Sequence, residues 1–356
     1  MAALPENVPF VAPETLERRL GRPFRARLGA NESAFGASPL ALRAMAAELS
    51  RSALYGDPEC WVLRSALASH LGVGAESVAV GSGIDDLQGL VVRALMDPGD
   101  VAVMSQGAYP TFAYHVAGSG GRVEAVLYRD DRNDLEALAA AARRTGATLV
   151  FLANPDNPTG AWVEAGELEA FLDLLPPGSL LVLDEAYVEF APGDRLPIDA
   201  GDPRLVRLRT FSKAYGMAGL RVGYAVGEPR LLAAFDRIRL HFGVNRVAQA
   251  GAKAALSDGG FLAEVVQAVA RGRLDYLALA DRAGIGALPS WANFVAFDLG
   301  TRGRAERVLE GLGRRGVFGR KPAAPPLDRC LRLTVGTEPE RQIAAEALTE
   351  AVRETA

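Results

Sequence analysis

From about residue 75 the chain alternates short apolar runs with longer stretches whose apolar residues recur every three or four positions. The short runs are SVAV (77–80), VAVM (101–104), RVEAVLY (122–128), TLVFLA (148–153), SLLVLD (179–184), RLVRLRT (204–210) and VGYAV (222–226). Several are apolar throughout, as strands buried on both faces are. The stretches DDLQGLVVRALM (85–96), DLEALAAAARRTG (134–146) and EAGELEAFLDLL (164–175) fit amphipathic helices. Strand–helix alternation of this kind predicts an α/β fold, a mostly parallel seven-stranded sheet with helices on both faces. Beyond about 245 long helical patterns lead to two isolated strand patterns, NFVAFDLG (293–300) and CLRLTVG (330–336). That change predicts a smaller α+β domain. The expected organisation is an N-terminal arm over 1–30 that joins the small domain, a large domain over 31–245 and the small domain over 246–356.

Composition narrows the function more than the fold. With 356 residues, 49% apolar and 23% charged, the chain is long enough for a core of good size. A net charge of −4 and the lack of a basic tract argue against nucleic acid or an anionic membrane as a partner. No apolar run approaches the roughly 18–20 residues that span a bilayer, and the first residues do not read as a signal peptide. Cys60 and Cys330 have no metal-ligand spacing, so no metal is expected, and two cysteines in so long a chain suit a reducing compartment. The expected location is the cytoplasm. The lone histidines His70, His115 and His241 suggest no role.

One residue type is scarce. Of 39 basic residues only Lys213, Lys253 and Lys321 are lysines. A guanidinium stays protonated, whereas an amine can shed its proton and condense with a carbonyl. Lys213, in TFSKAYGMAGLRVGY, is therefore either a chance survivor or a position where arginine would not serve.

Four strand patterns end in polar, glycine-containing loops: GSGIDD (81–86), NPDNPTG (154–160), DEAYVEF (184–190) and TFSKAYG (210–216). In an open parallel sheet, ligands bind beyond the carboxyl ends of the strands, so these loops are expected on one cleft. GSGIDD is neither a dinucleotide fingerprint nor a P-loop. It reads as a phosphate cradle at a helix start, or as a plain turn with Asp85 or Asp86 acting on that start. Asp184, ending a very apolar strand, is a cap or ion-pair member, or a counter-ion for a protonated pyridine. Asn157 sits in a natural turn sequence. Taken together, a lysine for an aldehyde, Arg221 with Thr210, Ser212 and the 81–86 loop for a phosphate, and Asp184 for a pyridinium match the three handles of pyridoxal phosphate.

NPDNPTG, DEAYVEF and RTFSKAYGMAGLRVGY together resemble the fold-type I pyridoxal-phosphate aminotransferases of class I/II, and are most similar to their histidinol-phosphate branch. The likeness runs from GANESAFGASP (29–39) to CLRLTVGT (330–337). It implies that Lys213 carries the cofactor and moves the proton at the substrate Cα, that Asp184 pairs with the pyridine nitrogen, and that Asn157 and Tyr187 bond the ring oxygen. It implies that Tyr109 stacks on the ring, that Gly83, Ile84, Asp85, Thr210, Ser212 and Arg221 bind the phosphate, and that Arg332, Arg320 and Asn31 meet the substrate. Tyr55, in YGDPE, resembles a tyrosine that reaches the cofactor phosphate of a neighbouring subunit, so a homodimer with shared active sites is implied. The partners implied are a small amino donor and a 2-oxo acid such as 2-oxoglutarate.

The sequence departs from that branch at the substrate end. Glu14 falls near the position of a tyrosine that helps hold the substrate phosphate, and an acid there would repel it. NESAFG (31–36) stands for the usual NENPYG. An aromatic amino acid is the rival donor. The same scaffold also serves decarboxylation of the threonine-phosphate type, and a non-catalytic ligand sensor is a further alternative.

Overall fold

The computed structural model describes residues 11–193 and 195–355. Its strands are β1 (Ala26–Arg27), β2 (Val78–Gly81), β3 (Val101–Ser105), β4 (Arg122–Val126), β5 (Leu149–Ala153) and β6 (Leu180–Asp184), followed by β7 (Leu205–Thr210), β8 (Gly223–Gly227), β9 (Gly286–Ala287), β10 (Phe294–Asp298), β11 (Val317–Phe318) and β12 (Cys330–Thr334). Seven form one sheet in the order β2-β8-β7-β6-β5-β3-β4. All run parallel except β8, which is antiparallel to both neighbours. The carboxyl ends of β2, β5, β6 and β7 therefore share one edge.

Side-chain alternation assigns each strand residue to one of two layers. Val182 and Leu208 join Leu87, Phe112, Phe151 and Phe235 beneath the helices Ile84–Leu95, Thr111–Gly118 and Pro229–Ile238. Leu181, Leu183 and Leu205 join Leu138 and Phe171 beneath Leu135–Thr145 and Ala165–Leu174. β5 and β6 are buried along their whole length, while edge strand β4 is half-exposed. A third core gathers the helices Pro39–Glu48, Trp61–Leu71 and Arg246–Leu256 around Leu63, Phe211 and Tyr224.

A fourth core belongs to the C-terminal strands and helices. There the antiparallel sheet β12-β10-β9 packs with the helices Gly259–Ala283, Arg302–Arg314 and Glu338–Arg353 around Phe294, Leu312 and Leu348. β1 pairs in parallel with β11. Beyond it the Leu28 N–H donates to the Phe318 carbonyl at 2.8 Å, and the Leu28 carbonyl accepts from the Thr334 N–H at 2.8 Å. The stretch 25–28 is thus stitched to the C-terminal strands, which delivers Gly29–Glu32 to the edge of the large sheet. Residues 1–10 of the expected arm lie outside the described residues. Among the described residues no helix is long and apolar enough to cross a membrane.

Candidate active site

A cavity of about 350 Å³ opens where the four strand ends meet the 29–32 stretch. Ile84 and Asp85 line it from the loop after β2, Ala153 and Asn157 from β5 and its loop, and Asp184 and Tyr187 from β6 and its loop. Thr210, Ser212, Lys213 and Arg221 line it from β7 and the following loop. Asn31, Tyr109, Arg320 and Arg332 complete the expected set, and Glu32 stands among them without having been expected. Gly83 is one residue from the wall. Tyr55 does not line this cavity; it is 78% exposed and stacked on Phe242, with ring centroids 4.5 Å apart.

At one end, Gly83 caps the helix Ile84–Leu95 with φ 89°, a conformation that costs side-chain-bearing residues dearly. A Cβ there would lie 2.5 Å from Nη2 of Arg221, so the glycine lets the guanidinium close on the helix start. Arg221 donates to Ser212 Oγ at 3.3 Å and pairs with Asp85 at 3.6 Å. Thr210 Oγ1 donates to Ser212 Oγ at 2.9 Å. Hydroxyls, an arginine and a helix N-terminus converge here, a setting for a phosphate. The Asp86 carboxylate accepts from the Ser82 N–H at 2.8 Å, a bond that closes the turn before the helix.

At the floor, Asp184 is buried. Its carboxylate accepts from the Ala186 N–H at 3.0 Å and from Gln88 Nε2 at 3.1 Å. No arginine or lysine among the described residues lies within ion-pair distance of it. Burial raises its pKa to about 7, against the opposing Ala186 N–H. A buried acid that faces the cavity with no cation at ion-pair distance fits a protonated ring nitrogen. Lys213 Nζ donates to the Ala30 carbonyl at 3.4 Å and lies 5.7 Å from the centroid of the Tyr187 ring. Burial, with Arg332 adding to it, brings its pKa down to about 8, so a useful fraction is neutral amine near neutral pH.

On the other wall, Tyr187 accepts from Asn31 Nδ2 at 2.9 Å and Asn157 Nδ2 at 3.4 Å. Arg332 donates to the Asn157 side-chain oxygen and to the Gly29 carbonyl, and its Nε is buried without a partner. Arg320 and Arg332 bond main chain to main chain in both directions, at 3.1 and 2.6 Å. Burial raises the phenols of Tyr109 and Tyr187, the latter to about 12. These residues fit pyridoxal phosphate at each of its handles: a cradle, an unmatched acid, a neutralisable amine and donors for a ring oxygen.

Several residues escaped the sequence reading. Gln88 is fully buried on the apolar face of its helix, and a glutamine at such a position was the available signal. Glu185 is clamped by Arg207 through Nε at 3.0 Å and through Nη2, and by Arg209 at 2.8 Å. The charged–apolar alternation Arg207–Leu208–Arg209 inside a buried strand was its signal. Glu14, which spoke against a phosphate, does not line the cavity; it pairs with Arg27 at 2.8 Å, and Arg27 also holds Glu17 at 2.6 Å.

Comparison with known proteins places this geometry among relatives. The family model for aminotransferase class I and II matches residues 26–348. A histidinol-phosphate aminotransferase of Anaeromyxobacter is 41% identical, over 98% of this chain and 96% of that protein. Histidinol-phosphate aminotransferase 1 of Bacillus cereus is 36% identical, over 96% and 92%. The crystal structure of histidinol-phosphate aminotransferase from Sinorhizobium meliloti in complex with pyridoxal-5'-phosphate superposes with a TM-score of 0.95. It is 47% identical, covering 98% of this chain and 96% of that one.

Proposed function

The chain belongs to the class I and II aminotransferases, and from that membership we propose that it moves the amino group of histidinol phosphate to 2-oxoglutarate. It is a pyridoxal-phosphate-dependent transaminase. The bound cofactor supplies an aldehyde to receive the amino nitrogen and a ring to spread the electron pair left on Cα.

The chain's own groups do the rest. Lys213, as a neutral amine, is the nucleophile and then carries the proton to and from the substrate Cα. Asp184 holds a proton on the ring nitrogen. The backbone N–H groups at Gly83, Ile84 and Asp85, with Thr210, Ser212 and Arg221, anchor the phosphate. Tyr109 packs on the ring, and Asn157 and Tyr187 hold its oxygen. Arg320 and Arg332 hold the anionic groups of donor and acceptor.

The observation that carries the substrate assignment is the pair Arg320 and Arg332 on the cavity wall, in addition to Arg221. Such a pair matches the two carboxylates of a dicarboxylic acceptor, and either arginine can hold the single phosphate of the donor. The named relatives support the same donor, and Glu14 is turned onto Arg27 and does not line the cavity. The test is glutamate formation from 2-oxoglutarate with histidinol phosphate, phenylalanine, tyrosine or aspartate as donor. Histidinol phosphate is expected to lead by at least about tenfold in kcat/KM, one step of ~1.4 kcal/mol. Phenylalanine in the lead would overturn the donor, and CO₂ release without glutamate would favour the decarboxylase.

The working unit in this reading is a homodimer. Leu54, Tyr55, Trp61, Leu240 and Phe242 are all at least half exposed, an apolar surface that suits a second copy. Tyr55 then reaches the neighbour's cofactor phosphate. The buried, unpaired Cys60 and Cys330 support a reducing compartment, the cytoplasm.

A further inference from the structure

Two amide nitrogens meet at the Tyr187 oxygen, and which end of each amide points there is decided from β12. Arg332 has donors only, so its guanidinium must meet the Asn157 oxygen, and it does. That leaves Asn157 Nδ2 for Tyr187. The Thr334 hydroxyl accepts from the Asn31 backbone N–H at 3.0 Å, which leaves its own proton to give. The Asn31 side-chain oxygen takes that proton at 3.2 Å, so Asn31 Nδ2 is turned to Tyr187 at 2.9 Å. Arg332 and Thr334 are two apart on one strand and project from the same face. Asn31 and Thr334 are 1% and 2% exposed, so water does not compete for these bonds.

The consequence falls on the phenol proton. With two donors on its oxygen, Tyr187 can only donate outward, and among the described residues no group accepts from it. Asn31 itself has both ends of its amide committed to protein.

We propose that Thr334 is a positioning residue that fixes the Asn31 amide and thereby compels Tyr187 to present its O–H, as a donor, to the ring oxygen of the cofactor. Without the Thr334 hydroxyl the Asn31 amide can turn, and its oxygen then takes the phenol proton away from the cavity. The inference rests on the cofactor and site reading above.

The test needs no turnover. The protein freed of cofactor is titrated with pyridoxine 5'-phosphate and with the analogue lacking the 3-hydroxyl, and the two dissociation constants are compared. The native protein is expected to favour the hydroxyl form by about tenfold, the effect of one good hydrogen bond. Thr334→Val is expected to lose most of that preference while binding the deoxy analogue as before, as Tyr187→Phe does. Thr334→Ser is expected to restore it, and the double variant to lose no more than either single one. An unchanged preference in Thr334→Val, or an equal loss for both compounds, would overturn the proposal. Failure of the native protein to bind either compound would instead overturn the site reading, and the proposal with it. Unchanged binding of the deoxy analogue by Thr334→Val guards against misfolding as the cause.

Discussion

Gln88 Nε2 lies 3.1 Å from Oδ2 of Asp184, so the buried acid of the cavity is met by a neutral amide in a chain otherwise crowded with arginine. The adjacent residue is treated in the opposite way, since Glu185 holds two arginines on the other side of the same strand end. The end of β6 and the residue after it thus supply two acids, one left without a cation toward the cavity and one neutralised behind it.

Asp184→Asn is expected to cut the transamination rate by about a hundredfold or more, the scale of losing one preorganised charge. It is also expected to stabilise the cofactor-free protein near pH 8, on the order of 1–3 kcal/mol. The sign follows from the raised pKa. A carboxyl moved from 3.8 to about 7 contributes stability that is full below 3.8 and lost as pH rises through 7. Glu189, raised by burial to about 7, acts in the same sense, so the variant keeps part of the slope. Urea midpoints of the two cofactor-free proteins from pH 4 to 8 check this; equal slopes would refute it.

Glu185→Ala is expected to destabilise the fold by about 3–5 kcal/mol, because it strands two guanidiniums in the interior. Burial alone would raise this carboxyl, but Arg209 and Arg207 override it and hold it at about 2. Its contribution is present above 4.5 and disappears as pH falls toward 2. Denaturation of the native protein and the variant should converge in acid. A difference that stayed constant from pH 7 to 2.5 would exclude this account.

Lys213→Ala is expected to lower turnover by at least about 10²–10⁴-fold, the range for a lost proton-transfer group. Cofactor should still bind through the phosphate cradle, without a covalent link. Borohydride reduction followed by peptide mapping checks the attachment point, and a label on Lys253 or Lys321 would sink the assignment.

Gly83→Ala is expected to weaken cofactor binding by about tenfold or more, from backbone strain of about 1–3 kcal/mol and a Cβ facing Arg221. The fold should survive, since the added methyl points at the end of a side chain. Equilibrium dialysis against pyridoxal phosphate measures it; unaltered affinity would mean that the cradle lies elsewhere.

Tyr55→Phe is expected to loosen the cofactor about tenfold, the loss of one hydrogen bond to a charged group. Phe242→Asp, on the ring that Tyr55 stacks against, is expected to give monomers with little activity. Sedimentation and activity at matched concentrations test both. A fully active monomer would remove the need for a shared site.

Much of this arrangement was legible in the chain. The seven apolar runs of the large sheet each became a strand, with ends within one or two residues of the pattern, since short apolar runs bounded by turn residues suit strands of a sheet covered by helices. Where β8 turns antiparallel was not legible, since a short apolar run looks the same in either direction. Asp184 was visible as an acid closing an apolar run. Gln88 was not, because its position within a helix says nothing of which strand end it will face. Thr334 stood unremarked at the end of CLRLT, although its hydroxyl orients an amide 303 residues away.

The sequence by itself determined the layers, the polar strand ends and the residue types that gather there, because hydrophobic periodicity and turn chemistry are local properties of the chain. Only the tertiary structure decided which acid is neutralised and which is left for the cavity. It alone decided which way each amide is turned around Tyr187. Those outcomes depend on contacts between segments far apart in sequence, formed where burial makes every unpaired donor or charge costly.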